Sequence, residues 1–371
     1  MAELSRRNLF AAGAAGAAGL AAGALSGAAT PAAAQARRSA ASDMVTRVGL
    51  PNVWGEDFLS QWSPNETYKR DIKVGSTEIR LGGNPRMVNT EGTDYAKLFK
   101  TMQDNGLTAA EAASAQWLAR KMPDSEKAEI KAQLKAHNID FYNIHCAGNI
   151  IAPDPDADRW QRHIIDAIHS AEEFGCATIL THTGSMYPNR NIAHPQNWSK
   201  EAWERSVNAL KRICKDTQGS KIEIAIEPVN TEAINNPWAM KRLREDVGDE
   251  RITCGLDITN MVDPSVAFRM TEFTDVTFDL LGDMIRYVHA KDIAWNGMLA
   301  GLNWTMQGTG IMDYELFLAR LSRLTRTKMP YMLIEFLTNN QEYEQAQRNV
   351  RAIAERVGVK IYGTQPPPSV A

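Results

Sequence analysis

The stretch Lys221-Ile222-Glu223-Ile224-Ala225-Ile226-Glu227-Pro228-Val229-Asn230 is apolar, rich in β-branched residues and too short for a helix, and it stops at an acid followed by a proline. It reads as a buried strand with Glu227 at its end. Three later runs repeat the form. RITCGLDITN (251–260) stops at Asp257, MIRYVHAKD (284–292) at His289 and YMLIEFL (331–337) at Glu335. Four such ends side by side bring three carboxylates and one imidazole together.

Outward from these runs, the chain from about residue 70 alternates short apolar runs with longer amphipathic ones, with Gly, Asn, Asp or Pro at the joins. The expected strands are Ile72 to Leu81, Gly106 to Ala113, Ile139 to Ala147, Ala177 to Thr181, Lys221 to Glu227, Ile252 to Asp257, Ile285 to Ala290 and Tyr331 to Phe336. The expected helices are Tyr95 to Asp104, Ser125 to Ala136, Asp158 to Phe174, Lys200 to Thr217, Pro237 to Glu245, Phe273 to Asp283, Tyr314 to Thr325 and Gln341 to Val357. Asp124-Ser125 and Asn340 are expected N-caps, and Gly175 and Gly358 expected stops. Eight βα units make an α/β chain of the (β/α)8 TIM-barrel class, whose chemistry gathers at the C-terminal ends of the strands. The second strand is ambiguous, because Ala110-Glu111-Ala112-Ala113 also suits a helix.

The termini stand apart from this pattern. Ser5-Arg6-Arg7-Asn8-Leu9-Phe10 precedes a long Ala/Gly stretch and Ala34-Gln35-Ala36, so residues 1–36 read as a twin-arginine export signal cleaved near Ala36. The stretch is too poor in Leu and Ile to anchor the chain, and no stable membrane insertion is expected after cleavage. The expected partner there is the twin-arginine translocation machinery, and the expected location is the periplasm or another exported compartment. Residues 37–68 read as an N-terminal arm, 69–363 as the barrel and 364–371 as a flexible tail. A formal net charge of -3 with interspersed charges argues against nucleic acid as a partner. Cys146, Cys176, Cys214 and Cys254 form no CxxC pair. Buried free thiols are expected, although export leaves a Cys176–Cys214 bridge conceivable.

Acids and an imidazole aimed into one barrel mouth are costly to bury unless a cation balances them. Glu227, Asp257, His289 and Glu335 are therefore expected to hold one divalent metal ion (Mn, Mg, Zn or Co). Glu227-Pro228-Val229-Asn230, Gly255-Leu256-Asp257, His289-Ala290-Lys291-Asp292 and Ile334-Glu335, in this order, resemble the xylose isomerase-like TIM barrels, the sugar phosphate isomerase/epimerase group with the ketose 3-epimerases. The resemblance covers about residues 70 to 360. It implies that those four residues bind the metal and that Glu227 and Glu335 double as acid and base next to a carbonyl. Two positions depart from the family pattern. Asn260 stands where a His is usual, and Trp295 where an Arg is expected.

The expected activity is a metal-dependent sugar isomerase or epimerase acting through an enediolate. The alternatives are a lyase or hydratase on a 3-keto-glycoside, an apurinic endonuclease-like barrel, and a non-catalytic sugar-binding barrel. Export favours a neutral carbohydrate over a sugar phosphate. His145, His182, Asn230, Asn260, Lys291 and Trp295 are expected to contact substrate, although the alternation of side chains along a strand argues against Lys291 in direct contact with the metal. Asp292 is a candidate outer partner of the metal site. Trp198, Trp238, Trp295 and Trp304 lie near the catalytic side, two of them expected to pack beneath loops. The loop Ile293 to Ile311 is expected to cover the substrate. His137, His163, His169 and His194 are expected at the surface.

Overall fold

The computed structural model describes residues 68–83, 94–113, 122–296, 301–325, 329–337 and 339–363. The expected export signal, most of the arm and the tail lie outside the described residues. Eight parallel strands close into a barrel: β1 Arg80–Gly83, β2 Ala109–Ala113, β3 Asp140–Cys146, β4 Thr178–Thr181, β5 Glu223–Ile226, β6 Ile252–Leu256, β7 Ile285–Ala290 and, last in the ring, β10 Tyr331–Ile334. Gly82 of β1 lies opposite both Ala109 and Leu333, so the ring has no free edge. β8 Asp292–Asn296 and β9 Gly301–Thr305 form a separate antiparallel hairpin after β7.

The helices are α1 Tyr95–Asp104, α2 Asp124–Ala136, α3 Asp156–Phe174, α4 Lys200–Asp216, α5 Pro237–Val247, α6 Pro264–Ala267, α7 Met270–Leu281, α8 Tyr314–Leu321 and α9 Asn340–Val357. Their starts follow local chemistry. Ser199, Asn236, Asp313 and Asn339 each accept a backbone N–H from the first turn, satisfying a donor the helix cannot. Two expected caps are thus corrected: Asn340 is the first helical residue after the cap Asn339, and Pro123 precedes α2 with no side-chain cap bond. Gly175 and Gly358 end their helices in the left-handed conformation, as expected.

The first strand is shorter and later than expected. Its ladder begins at Arg80, while upstream Thr77 and Ile79 donate to the carbonyls of Ser322 and Lys360. β2 is a strand, because tertiary pairing with β3 overrides the helix propensity of its alanines. All four cysteines are free and buried.

Inside the barrel, Ala109, Tyr142, Leu180, Ala225, Tyr287 and Leu333 form an apolar layer with Tyr331 packed against it. Tyr142 stacks on Tyr331 at 3.8 Å between ring centroids and meets Tyr287 edge-on at 5.4 Å. A side chain at Gly255 would collide with Leu180 and Tyr287, so glycine makes room for the tyrosine ring. This layer is the floor of the mouth.

Candidate active site

Side chains two apart on a strand share a face, so the residue two beyond each floor residue enters the mouth one rung higher. Ala109, Leu180, Ala225, Tyr287 and Leu333 are thereby followed inside by Glu111, His182, Glu227, His289 and Glu335. Every one of these five is buried, as are Asp257 and Lys291.

The four residues expected to bind metal meet around His289. Its Nδ1 lies 3.6 Å from Glu227 Oε2 and 3.4 Å from Glu335 Oε1. Glu227, Asp257 and His289 offer ligand atoms within 4.8 Å of one another, whereas Glu335 groups with His289 and Glu111. The Lys291 ammonium stands between the two remaining acids, 2.5 Å from Asp257 Oδ2 and 3.1 Å from Glu335 Oε2. Alternation, expected to keep Lys291 away from the metal, instead puts Ala290 outside and returns Lys291 to the side of His289. Burial alone would lower the Lys291 pKa, but Asp257, Glu335 and Glu227 raise it above the usual value.

The same competition sets the other charges. Burial pushes the Glu227 carboxyl upward, yet His289 and His182 beside it hold it well below the usual carboxylate range. For His289, burial disfavours the proton, and Glu335, Glu111 and Glu227 together raise its pKa well above normal. Asn260 donates its amide to Glu227 Oε1 and accepts from Lys291 Nζ at 3.5 Å. It thus links the acid of β5 to the lysine beyond β7.

Glu111 was absent from the expected site. Its Oε1 lies 3.2 Å from His145 Nδ1 and its Oε2 3.2 Å from His289 Nε2, and Oε2 also accepts from Asn143 Nδ2 at 2.6 Å. Burial raises its pKa, but His289 and His145 outweigh this and bring it below the carboxylate range. An ionised carboxylate only accepts, so each imidazole must present N–H to it. That leaves His145 Nε2 and His289 Nδ1 facing the mouth, and both are buried without a hydrogen-bond partner. The sequence signal was period-two alternation: in Ala109-Ala110-Glu111-Ala112-Ala113 it places Glu111 on the face of Ala109.

His182 Nε2 lies 3.6 Å from Glu227 Oε2, and its Nδ1, also without a hydrogen-bond partner, 3.6 Å from Glu232 Oε1. Burial lowers the His182 pKa well below normal. Glu232 is buried and accepts from Gly184 N and Thr183 Oγ1. His145, His182 and Glu227 form a further group with ligand atoms within 4.8 Å. Orphaned imidazole nitrogens beside ionised carboxylates fit a divalent cation in donor type and spacing.

The other expected contacts divide. Asn230 spends its amide on Val262 O at 2.8 Å, tying the loops after β5 and β6 together. Trp295 and Trp304 are exposed on the hairpin, Trp238 packs against the core and Trp198 is half-buried. Asp292 serves neither histidine; it accepts N–H groups of Ile293, Gly308, Gly310 and Met312, pinning the chain that returns from the hairpin. Gln307 then donates to Ala290 O and Glu335 O. Of the histidines expected at the surface, His169 is exposed, while His137, His163 and His194 are half-buried.

Residues 99–355 match the family model described as xylose isomerase-like TIM barrel. The chain belongs to that family. A curated relative, the probable endonuclease 4 of Thermotoga maritima, is 24% identical over 264 residues, covering 66% of this chain and 86% of that protein. The probable 3-DHS dehydratase AsbF of Bacillus anthracis superposes with a TM-score of 0.58 at 14% identity, over 75% of this chain and 100% of that one. D-Psicose 3-epimerase with D-tagatose, from Clostridium cellulolyticum H10, gives 0.55 at 13% identity, over 76% of this chain and 100% of that one.

Proposed function

We propose that this protein is a metal-dependent sugar isomerase or epimerase that abstracts a proton next to a carbonyl, with Glu227 and Glu335 as acid and base. The observation that carries the reading is the flanking of one imidazole nitrogen by these two carboxylates, at 3.6 and 3.4 Å. They approach a common point from β5 and from the end of β10, on two sides of the mouth. One carboxylate takes the proton, the electron pair moves to the carbonyl oxygen, and the other acid returns a proton to the opposite face. Glu227 is held ionised by its histidine neighbours and aimed by Asn260, which suits it to the base role.

A divalent cation held by Glu227, Asp257, His289 and Glu335, when bound, supplies Lewis-acid stabilisation of the negative charge that develops on substrate oxygen. Lys291 adds a fixed positive charge between Asp257 and Glu335. His145 and His182 line the same mouth as substrate contacts. If the carbon β to the carbonyl carries a glycosidic oxygen, the same electron pair expels it, and the reaction becomes elimination from a 3-keto-glycoside. A dehydratase and an epimerase on this barrel support both outcomes. We further propose export by the twin-arginine route, resting on residues 5–10 and 34–36; a folded reporter fused behind residues 1–36 should reach the periplasm and stay behind when Arg6 and Arg7 become lysine.

The test is incubation of the metal-loaded protein with ketoses and 3-keto-glycosides in D₂O. Deuterium at one stereocentre indicates an epimerase, and aglycone release a lyase. Glu335→Gln should fold and lose exchange, and unchanged exchange in that variant refutes the acid/base assignment. The endonuclease reading has two observations in its favour, the Thermotoga maritima relative and the His145–His182–Glu227 group. Three firmly held zinc ions per chain with cleavage of abasic DNA would establish it.

A further inference from the structure

Six large apolar side chains are exposed among the described residues: Tyr187, Ile192, Phe268, Trp295, Trp304 and Phe336. Each lies on a segment that leaves the C-terminal end of a barrel strand, on the side of the mouth. Scattered exposed apolar groups are ordinary, but confinement to one functional face marks a binding surface. Four of the six pair as rings, Phe268 with Trp295 at 4.7 Å and Trp304 with Phe336 at 4.0 Å between centroids.

The hairpin register explains the arrangement. Ile293 lies opposite Trp304, and Trp295 opposite Leu302, so all four share one face of the ribbon. Ile293 is buried against the core, while Trp304 and Trp295 are 59% and 37% exposed. The face is therefore anchored by Ile293 alone, while the tryptophan opposite it and the one farther out are both open. Phe336 meets that face with a left-handed backbone, φ 58°, a conformation a residue with a Cβ adopts only under tertiary constraint.

The aromatic wall begins at the reacting centre. Phe336 follows Glu335 directly, and its ring lies 4.2 Å from Lys291 Nζ, which is itself 3.1 Å from Glu335 Oε2. Trp295 is four residues beyond Lys291, up to ~13 Å farther along the chain at strand geometry. At that extension the wall would run past a single sugar ring seated between Glu227 and Glu335. Indole and phenyl faces offer stacking and apolar area, not charge recognition.

We infer that this wall is a subsite for a planar apolar group attached to the reacting sugar, so that the substrate is a keto-glycoside, carrying its carbonyl on the sugar ring and an aromatic aglycone, and not a free monosaccharide. The inference rests on the sugar chemistry proposed above. Matched phenyl and methyl β-glycosides of glucose, galactose and xylose have no free carbonyl and do not turn over, so they report binding alone. Titrated into the full chain by calorimetry and tryptophan fluorescence, the phenyl member of at least one pair should bind tenfold or more tightly, with quenching. Trp304→Ala should erase most of that gain, and Phe336→Gly should do the same should the first variant misfold.

Equal affinity within every pair, no binding by any member, or a gain that survives both variants overturns the inference. So does concentration-dependent dimerisation, or adsorption to phosphatidylcholine vesicles, that Trp304→Ala abolishes, since the wall would then cover a second copy or a membrane. Deuterium exchange into, or methanol release from, methyl 3-keto-glycosides, which carry the reacting carbonyl but no aromatic aglycone, reports on Glu227 and Glu335 independently, so failure of the aglycone subsite and failure of the catalytic reading are separable.

Discussion

Replacing Glu111 by Gln tests whether the mouth is organised from beneath. The wild-type carboxylate accepts at 3.2 Å from His145 Nδ1 and at 3.2 Å from His289 Nε2, fixing which nitrogen each ring turns to the mouth. An amide has one oxygen and one NH₂, so Glu111→Gln presents a donor to one of the two rings and favours the wrong tautomer there. Losing such an outer partner costs about 10–100-fold in metal affinity, equivalent to ~1.4–2.7 kcal/mol. The assay is calorimetric titration of Mn²⁺ or Zn²⁺ into thoroughly chelated wild type and variant, with circular dichroism to confirm the fold. Histidine ¹⁵N spectra of the metal-loaded forms add a readout independent of activity: wild type should show His289 protonated at Nε2, and the variant a mixed or reversed signal at one ring. Equal affinities with unchanged spectra would refute the idea that Glu111 orients both imidazoles.

Lys291→Met should leave Asp257 and Glu335 without their shared cation, costing the chelated protein ~3–5 kcal/mol by analogy with broken buried pairs; thermal unfolding should show much of the loss restored by metal, and equal losses with and without metal would count against the arrangement. In the chelated protein burial holds the Glu232 carboxyl up at about 7, from an ordinary 4.5. Its contribution to stability is therefore full below about pH 4.5 and falls as pH rises through about 7, by up to ~3 kcal/mol. Urea unfolding of Glu232→Gln should lack that slope. Burial raises the thiol pKa of Cys176 and Cys254 above the usual range and pushes Cys214 up to about 12, so Ellman's reagent at pH 8 should find these thiols silent until denaturant is added.

The barrel was legible because its signals are local. Strands such as Ile252–Leu256, buried along their whole length, read as continuous apolar runs, and an acid or histidine just past such a run stands out against them. Glu111 was not legible in the same way. Its strand is built from alanines, which score as helix, and only pairing with β3 across a register shift between Ala110 and Glu111 settles the conformation. Backbone pairing, which composition does not reveal, decided the segment after β7. The composition of Ile293 to Ile311 suggested a covering loop, whereas the structure makes part of it a hairpin whose return Asp292 fixes through four backbone N–H groups. A carboxylate serving backbone donors looks, in sequence, the same as one serving a metal.

Lys291 bears on how the mouth divides its work. An ammonium held 2.5 Å from Asp257 and 3.1 Å from Glu335 partly neutralises two of the four carboxylates before any cation arrives. Glu227 and Glu111 instead draw their compensation from His289 and its histidine neighbours. The mouth thus has a lysine-balanced side continuous with the aromatic wall and a histidine-balanced side over Glu111. A substrate oxygen near Lys291 would meet a fixed positive charge, whereas on the other side the orphaned nitrogens of His145 and His182 face the mouth and His289 Nδ1 gives a metal its lone pair only on losing the proton its carboxylate neighbours hold there. This asymmetry draws the cation toward His289 and Glu227 among its four proposed holders, with the reacting sugar extending toward Lys291. A metal count well above one per chain, with the Lys291 side filled, would reverse that order.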